Sequence, residues 1–123
     1  MKLIIPLPLI DLNKYINAER SNRFAAAKVK KNCTNICKLH SLKAKNQGIE
    51  IPTPFKATFE WYVKDKRKDL DNIAFQKKFI LDGMIEAGLI KNDGYNQHRQ
   101  SEDIYLIDKN ERVEITFEAL EEE

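Results

Sequence analysis

Residues 13–45 contain neither Gly nor Pro, and this long uninterrupted stretch constrains the fold more than any other feature of the sequence. Asp11 or Asn13 offers an N-cap, and the run Ala25-Ala26-Ala27 favours helix. The pattern predicts one long helix, or two helices with a break near residues 20–22. The repeated Lys and Arg residues of this stretch indicate that one side of the helix is exposed and positively charged.

Strands are predicted on both sides of this helical segment. Residues 2–7 form a short apolar run that ends at a proline, and residues 55–63 alternate between apolar and polar side chains as a half-buried strand does. Two closing strands are predicted at 103–108 and 112–117. Residues 108–111 between them are expected to form a hairpin turn.

A second helix is predicted from Asp71 or Asn72 to about residue 87, where Gly88 supplies a C-terminal stop. Its apolar stripe consists of Ile73, Ile80, Met84 and Ala87. Lys77 falls within that stripe, so its charge must either snorkel to solvent or reach an acidic partner. The element order is then roughly β-α-β-α-β-β, an α/β (α+β) fold in which residues 1–123 form a single domain with a mixed sheet packed by helices.

The formal net charge of +2 conceals a strong asymmetry along the chain. Residues 1–68 carry 15 Lys/Arg against 5 Asp/Glu, a local charge of +10, whereas residues 69–123 carry 6 against 14, a local charge of −8. A basic half of this kind is typical of proteins whose partner is a nucleic acid.

The expected compartment is the cytoplasm. The apolar run at residues 3–10 is short and broken by two prolines, which does not fit a signal peptide, and no window approaches the roughly 20 apolar residues of a membrane span. No membrane partner is therefore expected. Cys33 and Cys37 would share one helical face as small apolar fillers; a zinc site that added His40 is an alternative, although it lacks a fourth ligand.

Four cations run directly into two carboxylates at the centre of the chain. The cations are Lys64, Lys66, Arg67 and Lys68, and the carboxylates are Asp69 and Asp71. Clustered carboxylates repel one another, and a bound divalent cation relieves that repulsion. Oxygen ligands favour Mg²⁺ or Mn²⁺ over zinc, and the neighbouring cations suit a polyanionic substrate. The segment therefore predicts phosphodiester chemistry.

The arrangement of these carboxylates can be predicted only in part. In an extended segment the side chains of Asp69 and Asp71 would point the same way, with Leu70 turned to the core. Asp93, in a turn after the second helix, is a third candidate. Spacing alone does not fix its position relative to the other two.

A family resemblance rests on these residues and on several that follow. The segments that carry it are Lys68-Asp69-Leu70-Asp71-Asn72, Lys78, Leu81-Asp82-Gly83-Met84, Ala87-Gly88 and Asn92-Asp93. Over about residues 60–120 the chain resembles the RusA family of Holliday junction resolvases, which bacteriophages and prophages often carry.

The resemblance implies a small α/β homodimer that cleaves four-way DNA junctions by paired, metal-dependent hydrolysis and leaves 5′-phosphate ends. It implies that Asp69, Asp71 and Asp93 hold Mg²⁺ or Mn²⁺, with no small-molecule cofactor. Counting back from the Asn92-Asp93 segment selects Lys78 as the active-site lysine, with Lys77 as the alternative. The expected location is the cytoplasm of a bacterium or of a phage-infected host.

Phosphates of the DNA are expected to meet two sets of cations, because both lie in exposed basic segments. The residues are Lys64, Lys66, Arg67 and Lys68 in the turn, and Arg20, Arg23, Lys28, Lys30, Lys31 and Lys38 on the first helix. Three alternatives remain open at this point. They are another metal-dependent nuclease acting on flap or branched DNA, a DNA-binding protein in which the two aspartates only cap a helix, and a small zinc protein.

Overall fold

The computed structural model describes residues 2–9 and 12–121, with side chains described for 2–9 and 14–121. The strands are β1 (Lys2–Pro6), β2 (Phe55–Val63), β3 (His98–Ile107) and β4 (Arg112–Ala119). The helices are α1 (Leu12–Ser21), α2 (Arg23–Asn46), α3 (Leu70–Ala74) and α4 (Lys77–Glu86). The chain is thus a small α+β domain with a four-stranded mixed sheet, as the sequence predicts.

The strand order in the sheet is β1-β4-β2-β3. β4 pairs antiparallel with both β1 and β2, whereas β2 and β3 are parallel and are connected through α3 and α4. The prediction of a hairpin between the last two strands is wrong, because β2 lies between them. Asp108 forms a local turn by accepting a hydrogen bond from the Asn110 amide at 2.9 Å, and the chain then crosses the end of β2.

One face of the sheet carries the core, and the helices cover it. The inward residues of β2 are fully buried, and they alternate with partly exposed residues as predicted. These inward residues are Phe55, Ala57, Phe59 and Trp61, and they join Leu3 and Ile5 of β1 and Val113 and Ile115 of β4 in one hydrophobic cluster. The opposite face of the sheet has no helix packed on it in the part of the chain that the structure describes.

The long helical segment is divided into two helices. Asn22 caps α2 by accepting a hydrogen bond from the Phe24 amide at 2.7 Å, which confirms the predicted break near residues 20–22. The predicted N-cap at Asp11 lies outside the described residues, and Asn13 lies within α1.

α2 and α4 approach closely where Gly83 faces Cys37. A β-carbon at residue 83 would lie 2.5 Å from Cys37 Cβ and 2.7 Å from the backbone nitrogen of Lys38. Only glycine fits this contact, because the backbone of α2 occupies the space that a side chain would need. The two cysteines therefore fill the interface between these helices, as predicted.

The second helical region is two helices where the sequence predicts one. Gln76, at the junction of α3 and α4, is buried; its Oε1 accepts a hydrogen bond from the Leu9 amide at 2.8 Å, and its Nε2 donates to the Ile73 carbonyl at 3.2 Å. These bonds tie the junction to the segment that follows β1. The predicted apolar stripe is buried, and Gly88 ends the region with a positive φ of 74°, as expected for a C-terminal stop.

Within residues 2–9 and 12–121, no helix is both long enough and apolar enough to cross a bilayer.

Candidate functional site

Polar side chains line the inward face of β3, directly beside the apolar inward face of β2. We call them the β3 polar row; its members are His98, Ser101, Asp103 and Tyr105, which pair with Phe55, Ala57, Phe59 and Trp61. β3 is at the edge of the sheet, since among the described residues it pairs with β2 alone. The row therefore lies at the border of the core, where polar groups can meet solvent.

Asp103 is the best-connected member of this row. One carboxylate oxygen, Oδ1, accepts a hydrogen bond from Trp61 Nε1, and the other, Oδ2, accepts one from Lys77 Nζ; both distances are 2.8 Å. Lys77 Nζ also lies 3.3 Å from Ser101 Oγ and 4.7 Å from the centroid of the Phe59 ring. Lys77 has thus reached an acidic partner, one of the two outcomes that its place in the apolar stripe permits.

The structure separates the two candidate lysines. Lys77 is directed into the β3 polar row, whereas Lys78, the lysine selected by counting back from residue 92, is exposed on α4. Asp103 was absent from the sequence-based site. The charge of Lys77 inside an apolar stripe is the signal that an acidic partner had to exist, but nothing local identified which of the later carboxylates it was.

Asp69 and Asp71 lie at the start of α3. Asp69 occupies the N-cap position, and its carbonyl accepts the Asn72 amide at 3.0 Å, but its side chain makes no capping hydrogen bond. The prediction that Leu70 turns to the core is wrong, because α3 begins at that residue and leaves its side chain 54% exposed. Both carboxylates are exposed, and Asp69 has no capping role that would explain its presence.

The pKa of Tyr105 is affected by both Asp71 and Asp103. Burial raises the pKa of Tyr105, and the negative charges of Asp103 and Asp71 raise it further, because each of them disfavours a phenolate. The Tyr105 hydroxyl lies 3.5 Å from the Leu70 carbonyl oxygen, at the beginning of α3. The Tyr105 side chain therefore reaches from the β3 polar row to the backbone between Asp69 and Asp71.

Asp93 lies at the other end of β3. It is half-buried in the loop before the strand, and its charge affects the pKa of His98. The His98 ring is stacked on Phe55 at a centroid distance of 5.1 Å. Burial holds the pKa of His98 below its ordinary value, and the Lys77 cation lowers it further, while Asp93 acts in the opposite direction. His98 begins β3 and Tyr105 lies near its end, with an irregularity in the strand register after His98.

Carboxylate oxygens are the donors that suit a hard divalent cation, so the chemistry of the predicted ligands fits Mg²⁺ or Mn²⁺. Among residues 2–9 and 12–121, however, no three His, Cys, Asp or Glu side chains are grouped closely enough to hold a metal ion. Asp71 acts on the pKa of Tyr105 near the end of β3, whereas Asp93 acts on the pKa of His98 at its beginning. A metal bound to this chain alone would have at most a pair of these carboxylates, a number that Mg²⁺ accepts when a substrate phosphate completes its coordination.

The predicted DNA-binding cations are on the surface. Lys64, Lys66, Arg67 and Lys68 are exposed in the turn between β2 and α3, immediately before the aspartates. Asp65 shapes this turn, since its carboxylate accepts the Arg67 amide at 3.0 Å. On the helices, Arg20, Arg23, Lys28 and Lys31 are exposed, and Lys30 and Lys38 are half-buried.

The cysteines have the environment of core residues. Burial raises the pKa of Cys33, and it raises the pKa of Cys37 to about 12, with smaller effects from Cys33 and Asp82. A thiol with so high a pKa remains protonated, whereas zinc binds the thiolate. The zinc alternative with His40 gains no support from this arrangement.

Models of known protein families and the set of curated proteins were both compared with the chain, and neither contains a match to it.

Proposed function

We propose that the protein is a metal-dependent endodeoxyribonuclease that resolves four-way DNA junctions, in keeping with the resemblance of residues 60–120 to the RusA family. The observation that carries the proposal is the state of Asp69. This carboxylate follows a basic turn and occupies an N-cap position, yet it makes no capping hydrogen bond. The capping role that would make the two aspartates purely structural is therefore not performed by Asp69.

Asp69 and Asp71 are the proposed ligands for Mg²⁺ or Mn²⁺. Asp93, which the RusA-family resemblance implies as a third ligand, is not grouped with them in the described residues, so a substrate phosphate is proposed to complete the coordination. When bound, the metal would polarise the scissile phosphate and lower the pKa of a coordinated water. Lys77 is better placed than Lys78 to meet negative charge on the phosphate, because it bonds to Asp103 in the β3 polar row, and Tyr105 of the same row contacts the backbone between Asp69 and Asp71. Asn72, whose amide bonds to the Asp69 carbonyl, supports the backbone that presents both aspartates.

The basic turn and the cations of α1 and α2 are the proposed phosphate contacts. They carry the charge needed to hold DNA without reading its bases, so affinity should fall steeply with salt. A homodimer with two-fold symmetry would present two such sites to opposed strands of a junction, which has the same approximate symmetry. The proposed place of action is the cytoplasm of a bacterium or of a phage-infected cell.

The test is a cleavage assay on a synthetic four-way junction, a matched linear duplex and a flap, each with Mg²⁺ or with EDTA. The expected result is a pair of symmetric nicks on the junction alone, absent in EDTA and reduced at least about 100-fold in Asp71→Asn. Asp65→Asn is the matched control, since it removes a carboxylate of the same turn whose partner is Arg67.

Each other outcome has a definite meaning. Cleavage of all three substrates would replace junction resolution by general nuclease activity. Salt-sensitive DNA binding without cleavage would leave a DNA-binding protein. Equal losses in Asp71→Asn and Asp65→Asn would contradict the assignment of the aspartates, because Asp71 is a proposed metal ligand whereas Asp65 bonds to the Arg67 amide.

A further inference from the structure

Asp103 is held from the core side by the only tryptophan of the chain. Trp61 is fully buried, and its Nε1 donates to Asp103 Oδ1 at 2.8 Å. The tryptophan has no freedom to follow the carboxylate, so one oxygen of Asp103 is fixed and the other is presented to Lys77 at 2.8 Å. A hydrogen bond between two charged groups is among the stronger contacts that side chains make.

Lys77 is ordered by three contacts at once. Its ammonium group bonds to Asp103, lies 3.3 Å from Ser101 Oγ and lies 4.7 Å from the centroid of the Phe59 ring. A lysine side chain ordinarily has many rotamers, and ordering one costs conformational entropy. Here that order exists before any ligand arrives. The side chain is still 21% exposed, so a phosphate can reach it.

We propose that Asp103 is a positioning residue, which uses its fixed contact with Trp61 to hold the Lys77 ammonium where a substrate phosphate meets it. This inference rests on the proposed function. Asp103 acts through Lys77 and does not itself touch the substrate. Tyr105 follows Asp103 on the same face of β3, and its hydroxyl lies 3.5 Å from the carbonyl oxygen of Leu70, between the two proposed metal ligands. The ordered ammonium group therefore lies on the face of β3 that contacts the start of α3.

A purely structural ion pair makes a different prediction from a positioning one. A half-buried pair contributes little net stability, because desolvation offsets the attraction between the charges. If Asp103 only stabilised the fold, its replacement would lower the amount of folded enzyme and leave the turnover of each folded molecule unchanged. If it positions Lys77, turnover falls, and the fall depends on Lys77 being present.

A double-mutant cycle on junction cleavage distinguishes these roles. We expect Asp103→Asn to lower kcat about tenfold with KM changed less than about twofold, and Lys77→Gln to lower kcat about 100-fold. The double variant should match Lys77→Gln alone, because the effect of Asp103 passes through the lysine. Independent losses that multiply, or a wild-type kcat in Asp103→Asn, would overturn the inference.

Glu102→Gln is the control for this cycle. Glu102 is the residue before Asp103 on β3, and its carboxylate forms an ion pair with Lys56 at 3.2 Å. Both residues face the side of the sheet opposite to the core. The replacement removes an ion pair from the same strand without touching Lys77, so kcat should be unchanged.

A second measurement separates this inference from the proposed function, because it requires no cleavage. A labelled four-way junction is titrated with protein in EDTA, binding is followed by the anisotropy of the label, and the emission of Trp61 is recorded in parallel. We expect binding to change Trp61 emission in the wild type and not in Lys77→Gln, because a phosphate that bonds to the Lys77 ammonium alters the charge beside Asp103, which bonds to Trp61 Nε1.

The outcomes are separable. Binding without a change in Trp61 emission, or with the same change in Lys77→Gln, would overturn the positioning role and leave DNA recognition standing. An absence of binding would contradict the proposed function and would remove the inference with it.

Discussion

Two neighbouring parallel strands of the same sheet have opposite chemistry on the same face. The inward residues of β2 are Phe55, Ala57, Phe59 and Trp61, all fully buried. The inward residues of β3 are His98, Ser101, Asp103 and Tyr105, each paired with one of them. The central strand supplies apolar surface to the core, and the edge strand supplies groups that hydrogen-bond and carry charge. β2 therefore contributes mainly to stability, and the neighbouring β3 carries the side chains of the candidate chemistry.

The position of each strand explains the difference. β2 is flanked by β4 and β3, so its backbone is paired on both sides and its inward face is covered. In the part of the chain that the structure describes, β3 has one partner and lies at the edge of the sheet, where polar side chains avoid desolvation and discourage unwanted strand pairing. The Asp103 carboxylate is satisfied there by two donors, since Trp61 Nε1 and Lys77 Nζ each bond to one of its oxygens.

The largest expected difference between the strands is in stability. Phe59→Ala should lower the free energy of unfolding by about 4 kcal/mol, because it opens a cavity beneath a fully buried ring. Ser101 is exposed on β3, and Ser101→Ala should change the free energy of unfolding by less than about 0.5 kcal/mol. Urea denaturation followed by circular dichroism measures both. Similar losses of stability at the two positions would contradict the claim that β2 supplies the core while β3 supplies polar groups.

Gly83→Ala tests the helical layer above β2. The added methyl would overlap the backbone of α2, so we expect a loss of about 3 kcal/mol in the free energy of unfolding. Adding Cys37→Ala should not restore stability, because Cys37 Cβ and the backbone remain in place. Gly94→Ala is the control, since its new β-carbon would be no closer than 3.4 Å to its neighbours; thermal denaturation of the three variants measures the contrast.

Trp61→Phe removes the side-chain hydrogen bond from β2 to Asp103 of β3 and keeps an aromatic ring in the core. The loss of the indole N–H leaves Asp103 Oδ1 without its donor, and we expect a cost of about 1.5 kcal/mol in the free energy of unfolding. The variant should also reproduce the fall in kcat of Asp103→Asn, measured under the same conditions. A destabilised Trp61→Phe enzyme with wild-type kcat would restrict the role of Trp61 to packing.

The smallest expected effect is a pH dependence that arises at the end of β3. Burial and Lys77 hold the pKa of His98 below its ordinary value of 6.5, so the unfolded chain binds a proton near pH 6.5 that the folded chain does not. This contribution to stability is fully present above pH 6.5 and is lost as the pH falls through 6.5 towards the pKa of the folded state. Denaturation midpoints measured between about pH 5 and 8, the range in which histidine changes its charge, detect it.

His98→Gln should remove that pH dependence, whereas His40→Gln should retain it. Lys77→Gln should raise the pKa of His98, as followed by the ring resonances in NMR, because the variant removes a cation that lowers it. An unchanged His98 titration in Lys77→Gln would show that the lysine does not reach this end of the strand.

Local patterns predicted the elements of the fold and much less of how they assemble. The alternation of β2 and the interrupted helix around Asn22 are encoded in neighbouring residues, and both are confirmed. The hairpin prediction failed because the choice of β2 as the partner of both β3 and β4 depends on contacts far apart in sequence. The start of β3 was placed too late, since the polar residues 98–102 of an edge strand do not show apolar alternation.

The residues of the candidate site likewise include some that the sequence identifies and others that only the structure identifies. The basic turn and the adjacent aspartates are visible in the sequence, and the structure adds that the side chain of Asp69 makes no capping bond. Asp103 lies 26 residues after Lys77 and was not predicted as its partner, because the crossover through α4 brings them together only in three dimensions. Tyr105 was missed for the same reason.

The most direct test of the central claim uses a supercoiled plasmid that extrudes a cruciform, incubated with the protein and Mg²⁺. Paired incision across the junction converts the plasmid to linear DNA in one binding event, whereas independent single cuts release the supercoiling and leave nicked circles. We expect linear product from the wild type and from Asp65→Asn, and none from Asp71→Asn. Nicked circles alone, or linear product from Asp71→Asn equal to the wild type, would contradict a junction-resolving site built around these aspartates.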